Sequence, residues 1–317
     1  FNKNTWSVTF DANDRLTNFT KINDTTNTQL WQLSAVGDKT QVTTNGAPEV
    51  RSFNNAHEQT SQSITNDIRG NTTHNFNGHD YTYDLDNMLA QVDINGDQAP
   101  DQWNEYDALG RRVKQTIRTN GANTQTTVYC MSGSQVAVEY NSADFTMPAK
   151  KFVDGNYIDE PKLLIVVTGT PASPVENNYY YHQNRQFNVQ ALTDSTGAVV
   201  ERYTYRGNGK CDIYDGTGTT LRTTSAVGNP YTYTGRRYDD KTALYYFRAR
   251  FYDTHRFINR DPKGYINGES LYSPYFAYLM HMDPQGLNWL SDAWDLHVRF
   301  SKDIAMSAMM GPSVFLG

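Results

Sequence analysis

Cysteine is nearly missing from this chain: Cys130 and Cys211 are the two among 317 residues. One bridge at most could form, so a disulfide-stapled scaffold is excluded, and with no metal-ligand spacing around either thiol both read as small hydrophobes. Long apolar runs are missing too. No stretch of about eighteen uninterrupted apolar residues occurs, so no segment can cross a bilayer as a helix. Positive charge is in deficit, with 28 Lys and Arg against 34 Asp and Glu and a net charge of −6, which argues against a nucleic-acid coat. The apolar share of 38% is low for a compact α/β enzyme. The first residue is Phe1 instead of methionine, which predicts a piece of a longer polypeptide.

What fills the space is tyrosine, 22 residues of it, with as many glycines and abundant Asn and Thr. Such a chain reads as many short strands joined by tight turns. Phe10-Asp11-Ala12-Asn13-Asp14-Arg15-Leu16 lines up with Tyr83-Asp84-Leu85-Asp86-Asn87-Met88-Leu89, and both with Tyr106-Asp107-Ala108-Leu109-Gly110-Arg111-Arg112. A fainter relative runs Asn66-Asp67-Ile68-Arg69-Gly70-Asn71. Each copy is an aromatic or polar strand end, an Asp, and a residue type that tolerates positive φ, which predicts strand, turn, strand. Ordinary hairpins sharing turn chemistry would look similar. The constant offset between the Asp and the turn residue favours a true repeat that gains stability by stacking on its neighbours.

Further along, 162–168 is the one solid apolar run and predicts a buried strand, while 170–178, with Pro171, Pro174 and paired asparagines, predicts a surface loop. Hairpins resume at Tyr179. The alternation over 244–252 predicts a strand with Tyr245, Phe247, Ala249 and Phe251 on one face and Tyr246, Arg248, Arg250 and Tyr252 on the other. Arg236, Arg237, Arg248 and Arg250 are expected to line an interior or to pair with acids, a salt-bridged face being the ordinary outcome. Beyond Leu287, the spacing of Trp289, Leu290, Trp294, Leu296, Val298 and Phe300 predicts an amphipathic helix with Ser291 as its N-cap.

Two Asp-Pro-x-Gly motifs, Asp261-Pro262-Lys263-Gly264 and Asp283-Pro284-Gln285-Gly286, stand eighteen residues apart. Paired carboxylates can share one proton: the protonated one polarises a carbonyl while the ionised one takes a proton from water. The same tetrapeptide is also good turn chemistry, with Pro presetting φ and Gly accepting a positive one.

The Tyr-Asp repeats resemble the YD repeats of bacterial Rhs proteins, Tc toxin C components and teneurins. Residues 179–287 resemble the Rhs repeat-associated core domain, through Ala191-Leu192-Thr193-Asp194-Ser195-Thr196-Gly197, Tyr233-Thr234-Gly235-Arg236-Arg237-Tyr238-Asp239, Leu244 to Asp253, and Arg256-Phe257-Ile258-Asn259-Arg260-Asp261-Pro262. The resemblance implies an all-β fold: a spiralling shell segment over 1–178, an inward-wound plug with autoprotease activity over 179–287, and a tail or the start of a variable effector over 288–317. It implies Asp261 and Asp283 as an aspartyl-type dyad supported by Arg260, with cleavage between Leu287 and Asn288 and Pro262, Gly264, Pro284 and Gly286 as the motif frame. No cofactor is implied. The partners it implies are the chain's own caged C-terminal effector, the upstream YD-repeat shell and a secretion-system or toxin-delivery component, on a secreted or cell-surface bacterial protein used in interbacterial competition. The rival reading is a non-catalytic adhesion scaffold in which the aspartates are turns. This chain departs from the family in Tyr252-Asp253-Thr254-His255-Arg256-Phe257, which is shortened, and in the altered stretch 270–282.

Two smaller patterns remain. Asp93, Asn95, Asp97 and Asp101 alternate as oxygen ligands suited to calcium, but Gln98 stands where such a loop needs glycine, and a hydrophilic hairpin loop is the default. His182 follows three tyrosines without a nucleophile or a zinc-spaced partner, and reads as a hydrogen-bonded structural histidine.

Overall fold

The computed structural model describes residues 6–13, 15–22, 28–119, 122–141, 145–267 and 270–274. Among these residues there are strands and two short 3-10 turns, arranged in three antiparallel sheets. Five strands, Trp6–Phe10 to Ala47–Val50, form the first. Fifteen, from Thr65–Asn66 to Leu221–Arg222, form the second, and each pairs with the strand before it in sequence. The third has Arg237–Asp239, Leu244–Tyr246 and Phe251–Tyr252. The large sheet runs unbroken through residues 178 and 179, inside strand Ser173–Gln183, and the architecture changes only after Arg222.

A recurring turn explains the meander. Asp11, Asp67, Asp84 and Asp107 each use Oδ1 to accept the N–H groups two and four residues later, at 2.8–3.0 Å. The first residue's own N–H closes onto the fifth residue's carbonyl. Gly70, Asn87 and Gly110 take the positive φ that the fourth position requires. Asn54, Asn75, Asn184 and Asp194 make the same turn, so the repeat extends beyond the copies that carry an aromatic-Asp pair. Arginines then lace successive turns: Arg15 donates to Ser34 and Ala35 carbonyls, Arg69 to Leu85, and Arg111 to Gly133. Arg111 and the backbone N–H groups together hold the Asp107 carboxyl below the usual carboxylate range.

The third sheet is buried against the second. Leu244, Phe251 and Ile258 pack with Tyr81, Leu89 and Val92, and Thr72 N–H donates to Ile258 O at 2.7 Å. Phe247 and Phe257 have no exposed surface and join Tyr233, Tyr245 and Tyr252 in an aromatic cluster. Burial of this kind, at about 25 cal/mol per Å² of apolar area, is what holds the inner layer in place. Three of the four arginines expected to pair with acids do so across the interface, joined there by Arg112. Arg236 and Arg248 meet Asp159, each at 2.9 Å, Arg237 meets Glu139, and Arg112 of the large sheet meets Asp239 of the third at 2.5 Å.

Two local expectations need correction. Residues 244–252 are not one strand: Phe247 N–H donates to Arg250 O, Arg248 takes φ +64°, and the chain folds back so that Tyr246 pairs with Phe251. Alternation alone cannot distinguish a strand from two strand ends that bury the same aromatics. Residues 173–178 are likewise strand and not loop, pairing with 165–170 across a tight turn at 171–172. Pro174 is tolerated because its strand pairs on one side only at that point, so no ladder bond is lost. The apolar run at 162–168 does lie in a strand, Pro161–Thr170, with Leu164 fully buried. The helix expected beyond Leu287 lies outside the described residues.

Candidate functional site

Asp261 follows the third sheet and is held from several directions. Its N–H donates to Leu271 O at 2.9 Å, drawing 270–272 alongside 257–261, where Phe257 N–H also meets Tyr272 O at 3.1 Å. Within the motif, Lys263 N–H donates to Asp261 Oδ1 at 2.9 Å and Gly264 N–H to Asp261 O at 3.0 Å, with Gly264 at φ +68°. The Asp-Pro-x-Gly segment is thus a tight turn, as its composition predicts. The carboxylate is also buried, at 7% exposure, with Arg250 Nη2 at 3.1 Å from Oδ2. Arg250 is itself sequestered, its guanidinium stacked 3.7 Å over the Phe257 ring.

Arg260 sits elsewhere. Its guanidinium pairs with Glu58 and donates to Tyr272 Oη at 3.2 Å. Tyr272 Oη in turn donates to Gly70 O at 2.6 Å, tying this segment to one of the repeat turns. Burial works against the Glu58 charge, but hydrogen bonds from Asn54 and Arg260 outweigh it and hold that carboxyl below its ordinary value. Burial pushes Tyr272 up to about 12, so it stays a neutral donor. The family resemblance implied Arg260 as the residue supporting Asp261. It gave no sign of Tyr272, or of Glu58, which comes from a distant part of the chain, and Arg250 was visible only as one of four arginines expected to meet acids. Asp283, Pro284 and Gly286, and the Leu287-Asn288 bond, lie outside the described residues.

The weaker candidates take ordinary places. Asp93 accepts the N–H groups of Asn95, Gly96 and Gln98, and Asp101 Oδ2 accepts that of Ile94, so these carboxylates serve the loop's own backbone. Among the described residues no three His, Cys, Asp or Glu side chains are grouped to hold a metal. His182 shares a 3.0 Å hydrogen bond with Thr193 Oγ1. Cys130 and Cys211 are both free. No helix among the described residues is long and apolar enough to cross a membrane.

No profile of a known protein family matches this chain. It is 29% identical over 238 residues to the tRNA3(Ser)-specific nuclease WapA of Bacillus spizizenii, which covers 72% of this chain and 9% of that protein. To the tRNA nuclease WapA of Bacillus subtilis it is 29% identical over 236 residues, with the same two shares. To the double-stranded DNA deaminase toxin A of Burkholderia cenocepacia it is 26% identical over 233 residues, covering 68% of this chain and 15% of that protein. The chain therefore spans only a small fraction of each of these relatives. In three dimensions it is similar to the TcdB2-TccC3 crystal structure, with a TM-score of 0.64 and 18% identity over 89% of this chain and 16% of that one. The Photorhabdus luminescens Tc holotoxin pore gives 0.65 and 18%, over 89% and 15%. The chain has the all-β shell fold of these Tc toxin structures.

Proposed function

We propose that this chain is the C-terminal part of a toxin-encapsulating Rhs/YD-repeat shell, whose inner segment cuts itself once after Leu287 and frees a caged C-terminal effector. The buried Asp261 carboxylate, in an Asp-Pro-x-Gly turn with Arg250 beside it, is the observation that carries the reading. The relatives add support of a different kind. Their names give different activities, tRNA cleavage and DNA deamination, yet all share similarity with most of this one chain. A segment common to proteins of unlike chemistry fits a carrier better than an effector. The external partner on this reading is a toxin-delivery system, and the cleaved product acts outside the producing cell.

In the proposed reaction Asp261, with a guanidinium at its side, is the base and Asp283 the acid. Asp261 takes a proton from water, whose oxygen attacks the Leu287 carbonyl carbon. The tetrahedral adduct then breaks its C–N bond as Asp283 gives a proton to the Asn288 amine. An attached substrate supplies a large effective molarity, so a modest catalyst suffices for one turnover. Expression with a C-terminal tag, followed by denaturing gels and intact mass, tests this. Cleavage after Leu287, abolished by Asp261→Asn and by Asp283→Asn in chains that melt like wild type, is expected. A wild-type chain that stays full length sinks the protease reading and leaves the rival, a non-catalytic scaffold in which the turn contacts of Asp261 are its whole role.

A further inference from the structure

A pocket lined by several charged side chains opens where the first sheet meets the segment around Asp261. Lys39, Arg51, Asp38, His255, Arg256 and Ser270 are among its lining residues, which border roughly 320 Å³ of space that includes open solvent. Three of those six are strong cations, and they are not equally satisfied. Arg51 donates from Nη2 to His255 Nδ1 at 2.9 Å and pairs through Nε with Glu49. Because a guanidinium can only donate, His255 must accept at Nδ1, so its ring is uncharged there. Lys39 Nζ donates to His255 O at 3.2 Å. Arg256 is 6% exposed and its Cζ lies 4.1 Å over the Tyr272 ring; its Nε donates to Phe257 O, but neither Nη1 nor Nη2 has a hydrogen-bond partner among the described residues.

The nearby acids are already committed. Asp38 is held by His57 at 2.7 Å and by Ser270 Oγ at 3.2 Å, and Asp253 accepts the N–H groups of His255 and Arg256 at 2.8 and 2.7 Å. A buried guanidinium stays protonated whatever its surroundings, so its two terminal nitrogens need an acceptor, and their parallel fork matches two oxygens of a carboxylate or phosphate. Burial, with a smaller contribution from the Arg51 charge, pushes Lys39 down to about 8.

We propose that Arg256, Arg51 and Lys39 form an oxyanion-binding site, taking a carboxylate or phosphate group on the Arg256 fork with Lys39 as the second charge. Two sources offer that chemistry: a free oxyanion, or a carboxylate of this chain beyond Pro274, which itself lines the pocket. The site does not depend on self-cleavage. Calorimetric titration of the full chain with inorganic phosphate, in low-chloride buffer at pH 7, tests it. Saturable binding by wild type, lost in Arg256→Gln and weakened roughly tenfold in Lys39→Gln, is the result expected for a free oxyanion. If the chain's own carboxylate fills the site, wild type ignores phosphate, while a chain with Asp283→Asn, Asp292→Asn, Asp295→Asn and Asp303→Asn binds it. Failure of both chains to bind, or binding that Arg256→Gln and Lys39→Gln leave unchanged, overturns the proposal.

Discussion

The pair Arg112–Asp239 joins the large sheet to the inner one, and a double-mutant cycle across it tests how the two layers are fastened. Arg112 Nη1 and Nη2 donate to the two Asp239 oxygens at 2.5 and 2.9 Å, and both residues are buried. Gln102 adds a 3.1 Å hydrogen bond to Asp239, Asn104 accepts from Arg112 at 3.2 Å, and the guanidinium lies 4.7 Å over the Tyr246 ring. Removing one member of a buried pair strands the other charge, which costs about 3–5 kcal/mol. Replacing both with apolar residues removes the stranded charge and is often close to neutral. Arg112→Met and Asp239→Leu are each expected to destabilise by about 3 kcal/mol or more, and the double variant by less than either. At roughly 2 °C per kcal/mol for a long chain, each single change lowers Tm by about 6 °C or more. Thermal and urea unfolding of the four chains reads this directly. If either single change costs under about 1 kcal/mol, or the double variant equals the sum of the singles, the pair does not couple the layers and the reasoning fails.

Two further outcomes can be measured on the same chain. Gly70 sits at φ +83°, and a Cβ there would run into Arg260 Nε and Tyr272 Oη, so Gly70→Ala is expected to cost about 2 kcal/mol or more in urea unfolding; a cost below about 0.5 kcal/mol contradicts the tight seating of the turn on the inner segment. Burial and the neighbouring Asp159 push Asp154 up to about 6, so the folded state holds a proton there that the unfolded chain has lost. With more protons bound in the folded state between pH about 4 and 6, stability from this group falls as pH rises through that window and is flat above it. Asp154→Asn therefore stabilises at pH 7 by about 1 kcal/mol once solvent screening is allowed for, and does nothing at pH 3.5. Equal effects at both pH values would count against it.

Much of the architecture was legible because a short-range rule generates it. An Asp side chain that caps two N–H groups, followed by a residue able to take positive φ, forms its turn without help from the rest of the fold, and the sequence displays both parts. The copies at Asn54, Asn75 and Asn184 escaped because Asn stands where the pattern asked for Asp, although its side-chain oxygen accepts the same two N–H groups; searching for Asp, Asn or Ser at a fixed offset before a turn residue would have found them. The hairpin inside 244–252 was not legible in the same way. Its turn uses Arg248 in a left-handed conformation, which nothing in Arg248 advertises, and the fold is imposed by the aromatic cluster it completes. Likewise Arg260 stands next to Asp261 in sequence, but Glu58 is where Arg260 finds its acid, while Asp261 finds its cation in Arg250.

The arginine seam links these observations to the candidate site. An apolar inner layer could slide along an apolar sheet with little penalty, because burial is proportional to area and blind to register. Charge pairs are not blind: shifting the layer by one residue would strand Arg112, Arg236 and Arg237 without their acids, each at the cost of a buried unpaired charge. Arg250 belongs to the same set of inner-layer arginines, yet its acid is Asp261, on the chain that leaves the third sheet. The registration that seats the layer therefore also fixes one carboxylate of the Asp-Pro-x-Gly motif in a buried position. Replacing Arg250 should release Asp261 while the other pairs still hold the layer, which separates a turn that merely follows the fold from one that the fold is built to present.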